Sequence, residues 1–235
     1  MKNQNVCTWD KDKFLRLLAT LAQEYKVDIN EFVISVINND KANFFEALVA
    51  IILSQNTNDK NAINAFNNLR AAMGIITPQK IINMSDNEVK ALIKVAGLVN
   101  RRAKALKELA MIFIKKPGFF NELAFLDVEE ARKRLLELPG VGYKTADVFL
   151  LMVLRKPTFP IDTHISRVVK RLGLATSKNV YETIRAKILN YLENDVDKLR
   201  DLHLLLIIHG RKICKARNPL CSQCILFDMC CRRLE

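Results

Sequence analysis

The stretch LPGVGYKTADVF, residues 138–149, places Pro139, Gly140 and Gly142 directly before a lysine, Lys144. Upstream, Val128, Ala131, Leu135 and Leu138 recur at three- and four-residue steps, the spacing of one helix face. Lys144 falls where the chain re-enters a helix, so the stretch reads as helix, glycine hairpin, helix. Glycine reaches backbone conformations closed to other residues and lets a second backbone come close. Amides exposed at such a turn, ahead of a helix N-terminus, make an anion site that suits phosphates and reads no sequence. A plain helix–helix turn accounts for PGVG equally well.

Lys144 shifts that balance toward a site. In the first turn of the second helix, the positive end of the helix disfavours an ammonium and tends to lower its pKa from about 10.4. A nucleophilic amine needs a value near 7–8. That shift of about 3 units is roughly 4 kcal/mol, so desolvation has to contribute as well. A lysine that simply binds phosphate remains the alternative. Asp162 follows 18 positions later, beyond the helix-breaking Pro157 and Pro160. It suits a helix N-cap before Thr163-His164-Ile165; facing Lys144, its carboxylate would take protons or stabilise a cationic sugar. His164 reads as a local hydrogen-bonding residue, and His203 and His209, among apolar neighbours, as structural.

Helical spacing dominates the rest. Phe14, Leu18, Leu21 and Tyr25 form one row, Val99, Ala103, Leu106, Ala110 and Phe113 another, and Val180, Ile184, Ile188 and Tyr191 a third. Strand-like alternation is scarce, which predicts an all-α protein of roughly ten helices. Pro157 and Pro160 mark a domain junction.

The 235 residues are half hydrophobic, enough for a core, and carry 37 Lys and Arg against 25 Asp and Glu, a net charge of +12. Such an excess favours a polyanionic partner. No apolar run reaches the roughly 18 residues that cross a bilayer, and MKNQNVCTWDKDKF lacks the apolar core of a signal peptide. These features predict an intracellular protein with no membrane association. In a reducing compartment, clustered cysteines point to metal rather than disulfides.

Cys214, Cys221, Cys224 and Cys230 form the pattern C-x6-C-x2-C-x5-C. Four thiolates on a short segment can close around zinc or an iron–sulfur cluster. Buried small hydrophobes are the alternative, but Lys215, Arg217, Asn218 and Ser222 interrupt any apolar period. A single C-x2-C with longer arms suits a cluster better than a two-knuckle zinc ribbon. Cys231 replaces Cys230 only with a register shift, and Cys7 reads as an ordinary thiol. A metal that pins the segment would present Lys215 and Arg217 rigidly, which suits phosphate binding; a solvated basic surface is the alternative.

Four stretches line up with one family: LSQNTND (53–59), LPGVGYKTAD (138–147), IDTHISRV (161–168) and HGRKICKARNPLCSQC with its final cysteine (209–230). Together they resemble endonuclease III, in the helix–hairpin–helix superfamily of DNA base-excision glycosylases. The resemblance implies an all-α, two-lobed protein. One lobe is a six-helix bundle at residues 37–156, carrying the hairpin. The other gathers residues 1–36 and 157–235 around a [4Fe–4S] cluster. It implies Lys144 as the Schiff-base nucleophile, Asp162 as the essential carboxylate, and Cys214, Cys221, Cys224 and Cys230 as cluster ligands. Leu138, Gly140, Gly142, Lys215 and Arg217 would contact the DNA backbone.

The same resemblance implies a monomer that acts on double-stranded DNA containing damaged bases or abasic sites. It would remove oxidised pyrimidines and nick by β-elimination. Asn56 stands where the family has glutamine in the segment that fills the gap left by a flipped base, and Leu98 at the position of its wedge residue. Tyr143 replaces a common basic residue and Asp147 a common asparagine. The SQNT form resembles archaeal members and points to a prokaryotic, cytoplasmic, nucleoid-associated protein. Two readings compete. Thymine- or uracil-mismatch glycosylases share the superfamily, the thymine enzymes typically with tyrosine at the nucleophile position. A non-catalytic, metal-stapled DNA-binding protein would explain charge, hairpin and cysteines, but not Lys144 with Asp162.

Overall fold

The computed structural model describes residues 8–37, 43–175 and 180–231; Cys7 lies outside them. The described residues are helical without a strand, so the all-α expectation holds. Twelve α-helices occur among them: α1 Lys11–Glu24, α2 Phe44–Leu53, α3 Asp59–Met73, α4 Pro78–Asn83, α5 Asp86–Ile93, α6 Val99–Lys115, α7 Phe119–Phe125, α8 Val128–Leu136, α9 Tyr143–Val148, α10 Thr163–Leu172, α11 Val180–Tyr191 and α12 Val196–Lys212. Short α4, α7 and α9 carry no full hydrophobic period, which is why periodicity predicts fewer helices. The chain divides into two compact units, residues 28–155 and residues 1–27 with 156–235.

In the unit of residues 28–155, α2 is the core. Its residues from Phe45 to Leu53 are all buried, so it shows no polar face. Its one charged side chain, Glu46, is answered by Arg70 Nε and NH2 at 3.1 and 3.0 Å and by the Ile76 amide at 2.8 Å. An unpaired carboxylate there would be strongly destabilising. Phe44, Phe45, Phe113, Phe119, Phe120 and Phe149 pack as one aromatic cluster, with Phe113 and Phe120 stacked at 4.3 Å. Polar caps set most helix starts: Asn43, Asn58, Thr77 and Asp127 each accept an amide of the first turn, and Ser85 with Glu88 forms a capping box on α5. α9 starts differently, at Gly142 with no side-chain cap, and runs on into a π-helical turn, Phe149–Val153.

In the other unit, α1 packs against α11 and α12. Phe14 stacks on Tyr191 at 4.7 Å, and Trp9 Nε1 donates to the Leu172 carbonyl at 2.9 Å. α10 and α12 cross closely at Gly210, where a Cβ would lie 2.9 Å from His164 Cβ. His203 is buried and bonded to the Pro160 carbonyl at 3.1 Å, a structural role as its apolar setting predicts.

Candidate functional site

The hairpin between α8 and α9 is built from two different glycines. Gly140 has φ +76°, and a Cβ there would come within 3.0 Å of Ala105 Cβ on α6. Both backbone and space therefore require glycine. Gly142 is extended, with φ −107°, and a Cβ would meet nothing within 4 Å. The expectation of special backbone at both glycines holds only at Gly140. Nothing in the unit needs Gly142 to lack a side chain, and the space in front of it is open. Leu138 is buried beneath the turn, and Val141 closes it by donating to the Leu138 carbonyl at 3.1 Å. Lys144 is the second residue of α9 and half-buried.

Sequence reasoning missed the residues that hold this hairpin. Arg132 on α8 and Asp147 on α9 form a buried bidentate ion pair, Nε–Oδ1 at 3.0 Å and NH2–Oδ2 at 3.1 Å. The Arg132 guanidinium also lies over the half-exposed Tyr143 ring, 4.9 Å from its centroid. The departures at Tyr143 and Asp147 thus answer one arginine. A basic residue 15 positions before an acidic one in a helical segment was the available signal, and a weak one. Gln55, in the turn after α2, donates from Nε2 to the Gly140 carbonyl at 2.7 Å and to Thr145 Oγ1 at 2.9 Å. The turn that carries exposed Asn56 is therefore tied to the hairpin.

In the unit of residues 1–27 and 156–235, Asp162 caps α10 and accepts from the Ile165 amide at 2.7 Å. One carboxylate oxygen thus holds the helix start, and the group is half-buried. His164 Nδ1 lies 3.1 Å from Arg167 NH2, and burial is the main cause that lowers its pKa. Arg167 goes on to the carbonyls of Cys214 and Gly210, both at 2.7 Å. One turn later Arg171 donates to Cys214 Sγ at 3.3 Å and to the Lys215 and Ala216 carbonyls at 2.7 and 3.3 Å. Lys215 and Arg217 are exposed on the segment so held.

All four candidate thiols are free and line one cavity with Val168, Leu172, Ile213, Leu220, Leu226 and Phe227. His209 lies beside them, its Nε2 3.7 Å from Cys224 Sγ and its Nδ1 2.9 Å from Tyr25 Oη. Burial pushes its pKa down to about 4, so the imidazole is neutral near pH 7. Cys231 is not among the residues that line this cavity.

Residues 214–230 match the iron-sulfur binding domain of endonuclease III, and residues 49–194 match the HhH-GPD superfamily of base excision DNA repair proteins. Endonuclease III of Sulfolobus acidocaldarius is 40% identical over 218 residues, 92% of this chain and 94% of that protein. The chain belongs to the endonuclease III family. Endonuclease III of Escherichia coli K12 is 36% identical over 186 residues, 79% of this chain and 82% of that one. A trapped endonuclease III–DNA covalent intermediate shares the fold with a TM-score of 0.77 and 27% identity, over 95% of this chain and 96% of that one. A thermostable thymine-DNA glycosylase follows at 0.69 and 25%, over 93% and 95%.

As an endonuclease III family member, the chain is a DNA-binding, base-excision glycosylase with abasic-site lyase activity, and its cofactor is a [4Fe–4S] cluster. The cysteine centre fits that group. The four thiols surround a mostly apolar cavity, and a cluster of four irons takes one thiolate on each. No helix among the described residues is long and apolar enough to cross a membrane.

Proposed function

We propose that this endonuclease III family member excises oxidised pyrimidines from duplex DNA and nicks the abasic product, with Lys144 as nucleophile and Asp162 as the essential carboxylate. One observation carries the reading. Gly142, which neither backbone nor packing requires, opens onto free space immediately before Lys144. A phosphodiester backbone approaching there would bring a sugar to the amine.

The chemistry needs few groups. The Nζ lone pair attacks C1′ of a flipped nucleotide. The glycosidic bond breaks, its electron pair leaves with the base nitrogen, and that nitrogen takes up a proton. Ring opening gives an imine between Nζ and C1′. Loss of a C2′ proton then expels the 3′ phosphate, and water releases the imine. Asp162 stabilises the cationic sugar and assists deprotonation of the amine, while its bond to the Ile165 amide fixes the carboxylate.

Asn56 and Leu98 fill the gap left by the flipped base, and Leu138, Gly140, Gly142, Lys215 and Arg217 hold the backbone. Cys214, Cys221, Cys224 and Cys230 hold the cluster. When bound, it supplies iron–thiolate bonds that pin the segment bearing Lys215 and Arg217. The protein acts as a monomer in the cytoplasm, in association with the nucleoid. Incubation with an oxidised-pyrimidine duplex and with a G·T-mismatch duplex, read on a strand-scission gel, tests the lesion class. Cutting at the oxidised base supports the proposal; cutting confined to the mismatch favours the thymine-glycosylase reading.

A further inference from the structure

Arg102, on the first turns of α6, is 2% exposed and makes no ion pair among the described residues. Its guanidinium bridges two loops. NH1 donates to the carbonyls of Ala96 and Gly97, and NH2 donates to the carbonyl of Gln55. Nε is buried without a partner. The side chain is thus placed by the loops it holds rather than by its own helix.

The positions of those carbonyls matter. Gln55 precedes Asn56 and Gly97 precedes Leu98. Asn56 and Leu98 are both left-handed, with φ +48° and +47°. Non-glycine residues rarely adopt that backbone, and they keep it only where the surroundings over-determine it. One guanidinium therefore holds the peptide group immediately before each of two strained residues. Both side chains point outward: Asn56 is exposed, and Leu98 is 49% exposed although apolar. Leu98 also starts α6 without a side-chain cap.

We propose that Arg102 is a positioning residue that couples Asn56 and Leu98, setting the two as a fixed pair that enters the duplex when the damaged base leaves it. The proposal rests on the reading above that these two side chains fill the gap. The planar fork is what the task needs, because its two terminal nitrogens reach separate loops. A lysine in the same place presents one ammonium on a flexible stem, without the planar fork that fixes the two loops relative to each other. The arginine touches neither substrate nor reacting atoms. It acts on the extrusion of a base, which costs unstacking energy, and hardly at all on a site that has no base to extrude.

The test compares two single-turnover rates with saturating enzyme: release of an oxidised pyrimidine, and nicking of the same duplex carrying a preformed abasic site. Arg102→Gln and Arg102→Lys are measured beside Asn56→Ala and Leu98→Ala. The expected result is a loss roughly tenfold greater for base release than for nicking, in both Arg102 variants, as one lost unit of pre-organisation near 1.4 kcal/mol gives. Equal losses on the two substrates in the Arg102 variants, with Asn56→Ala and Leu98→Ala still selective, would overturn the coupling alone. An unchanged ratio in all four would overturn the gap-filling reading and the coupling with it. Should Arg102→Gln fail to fold, Arg102→Lys decides, because it keeps the buried charge and loses only the fork.

Discussion

Asp147 and Arg132 are locked together across the two helices of the hairpin motif, both buried and joined by two parallel hydrogen bonds. The pair fixes the angle at which α8 delivers the hairpin and α9 presents Lys144. Breaking one side of a buried pair costs about 3–5 kcal/mol, and the exposed Glu129 carboxylate, 4.0 Å from Arg132 NH1, offsets only part of it. Asp147→Ala is therefore expected to lose that much stability in chemical denaturation. Asp147→Asn, the residue common in the resembling family, should lose less, because its amide oxygen still accepts from Arg132 Nε.

The two glycines separate folding from binding. Gly140→Ala forces a left-handed alanine against Ala105 and should cost about 1–2 kcal/mol of stability from the backbone alone. Gly142→Ala meets no strain and no neighbour. Its stability should match the wild type to within about 0.5 kcal/mol, while DNA affinity falls. Calorimetry and a binding isotherm on the same preparation check both. Unchanged affinity in Gly142→Ala would mean that nothing approaches the hairpin there.

Where the sequence was legible, it was through period and punctuation. Residues 14–25, 99–113 and 128–138 show their buried faces as rows, and Asp162 announces the start of α10 after Pro160. The heart of the unit of residues 28–155 was not legible that way. α2 is buried on every side, so it has no amphipathic period to detect. Gln55 and Arg102 were invisible for another reason. Most of their partners are backbone carbonyls, those of Gly140 and Gln55 far along the chain, and a carbonyl leaves no mark on a sequence. Gly142 looked like Gly140 until the backbone angles told them apart.

Removal of a cluster ligand should act on DNA binding before chemistry. Metal analysis is expected to find iron and sulfide in a brown protein with broad absorption near the visible–ultraviolet boundary. Cys221→Ser or Cys224→Ser should lose that absorption and weaken DNA affinity, since Lys215 and Arg217 would then be held by the Arg167 and Arg171 bonds and the local backbone bonds of their segment, without the iron–thiolate links. A colourless, fully active protein with stoichiometric zinc would contradict the assignment.

Salt dependence counts the phosphate contacts. The slope of log affinity against log salt is about −0.9 per phosphate neutralised. Lys215→Ala and Arg217→Ala should each make it shallower by about 1, across all duplex sequences. An unchanged slope in both would assign these exposed charges to solvent.

The most direct test of the account is borohydride trapping at Lys144. An imine between Nζ and C1′ is reduced to a stable amine, so wild-type protein with oxidised-pyrimidine DNA and borohydride should give a covalent complex resolvable on a denaturing gel. Lys144→Gln should give none while keeping most of the DNA affinity, because one charge among many is lost. Asp162→Asn, which retains a capping oxygen for the Ile165 amide, should fold and trap about 10²–10⁴ times more slowly, as for a lost catalytic group. Undiminished trapping by Lys144→Gln would contradict the account, since another amine would then be doing the chemistry.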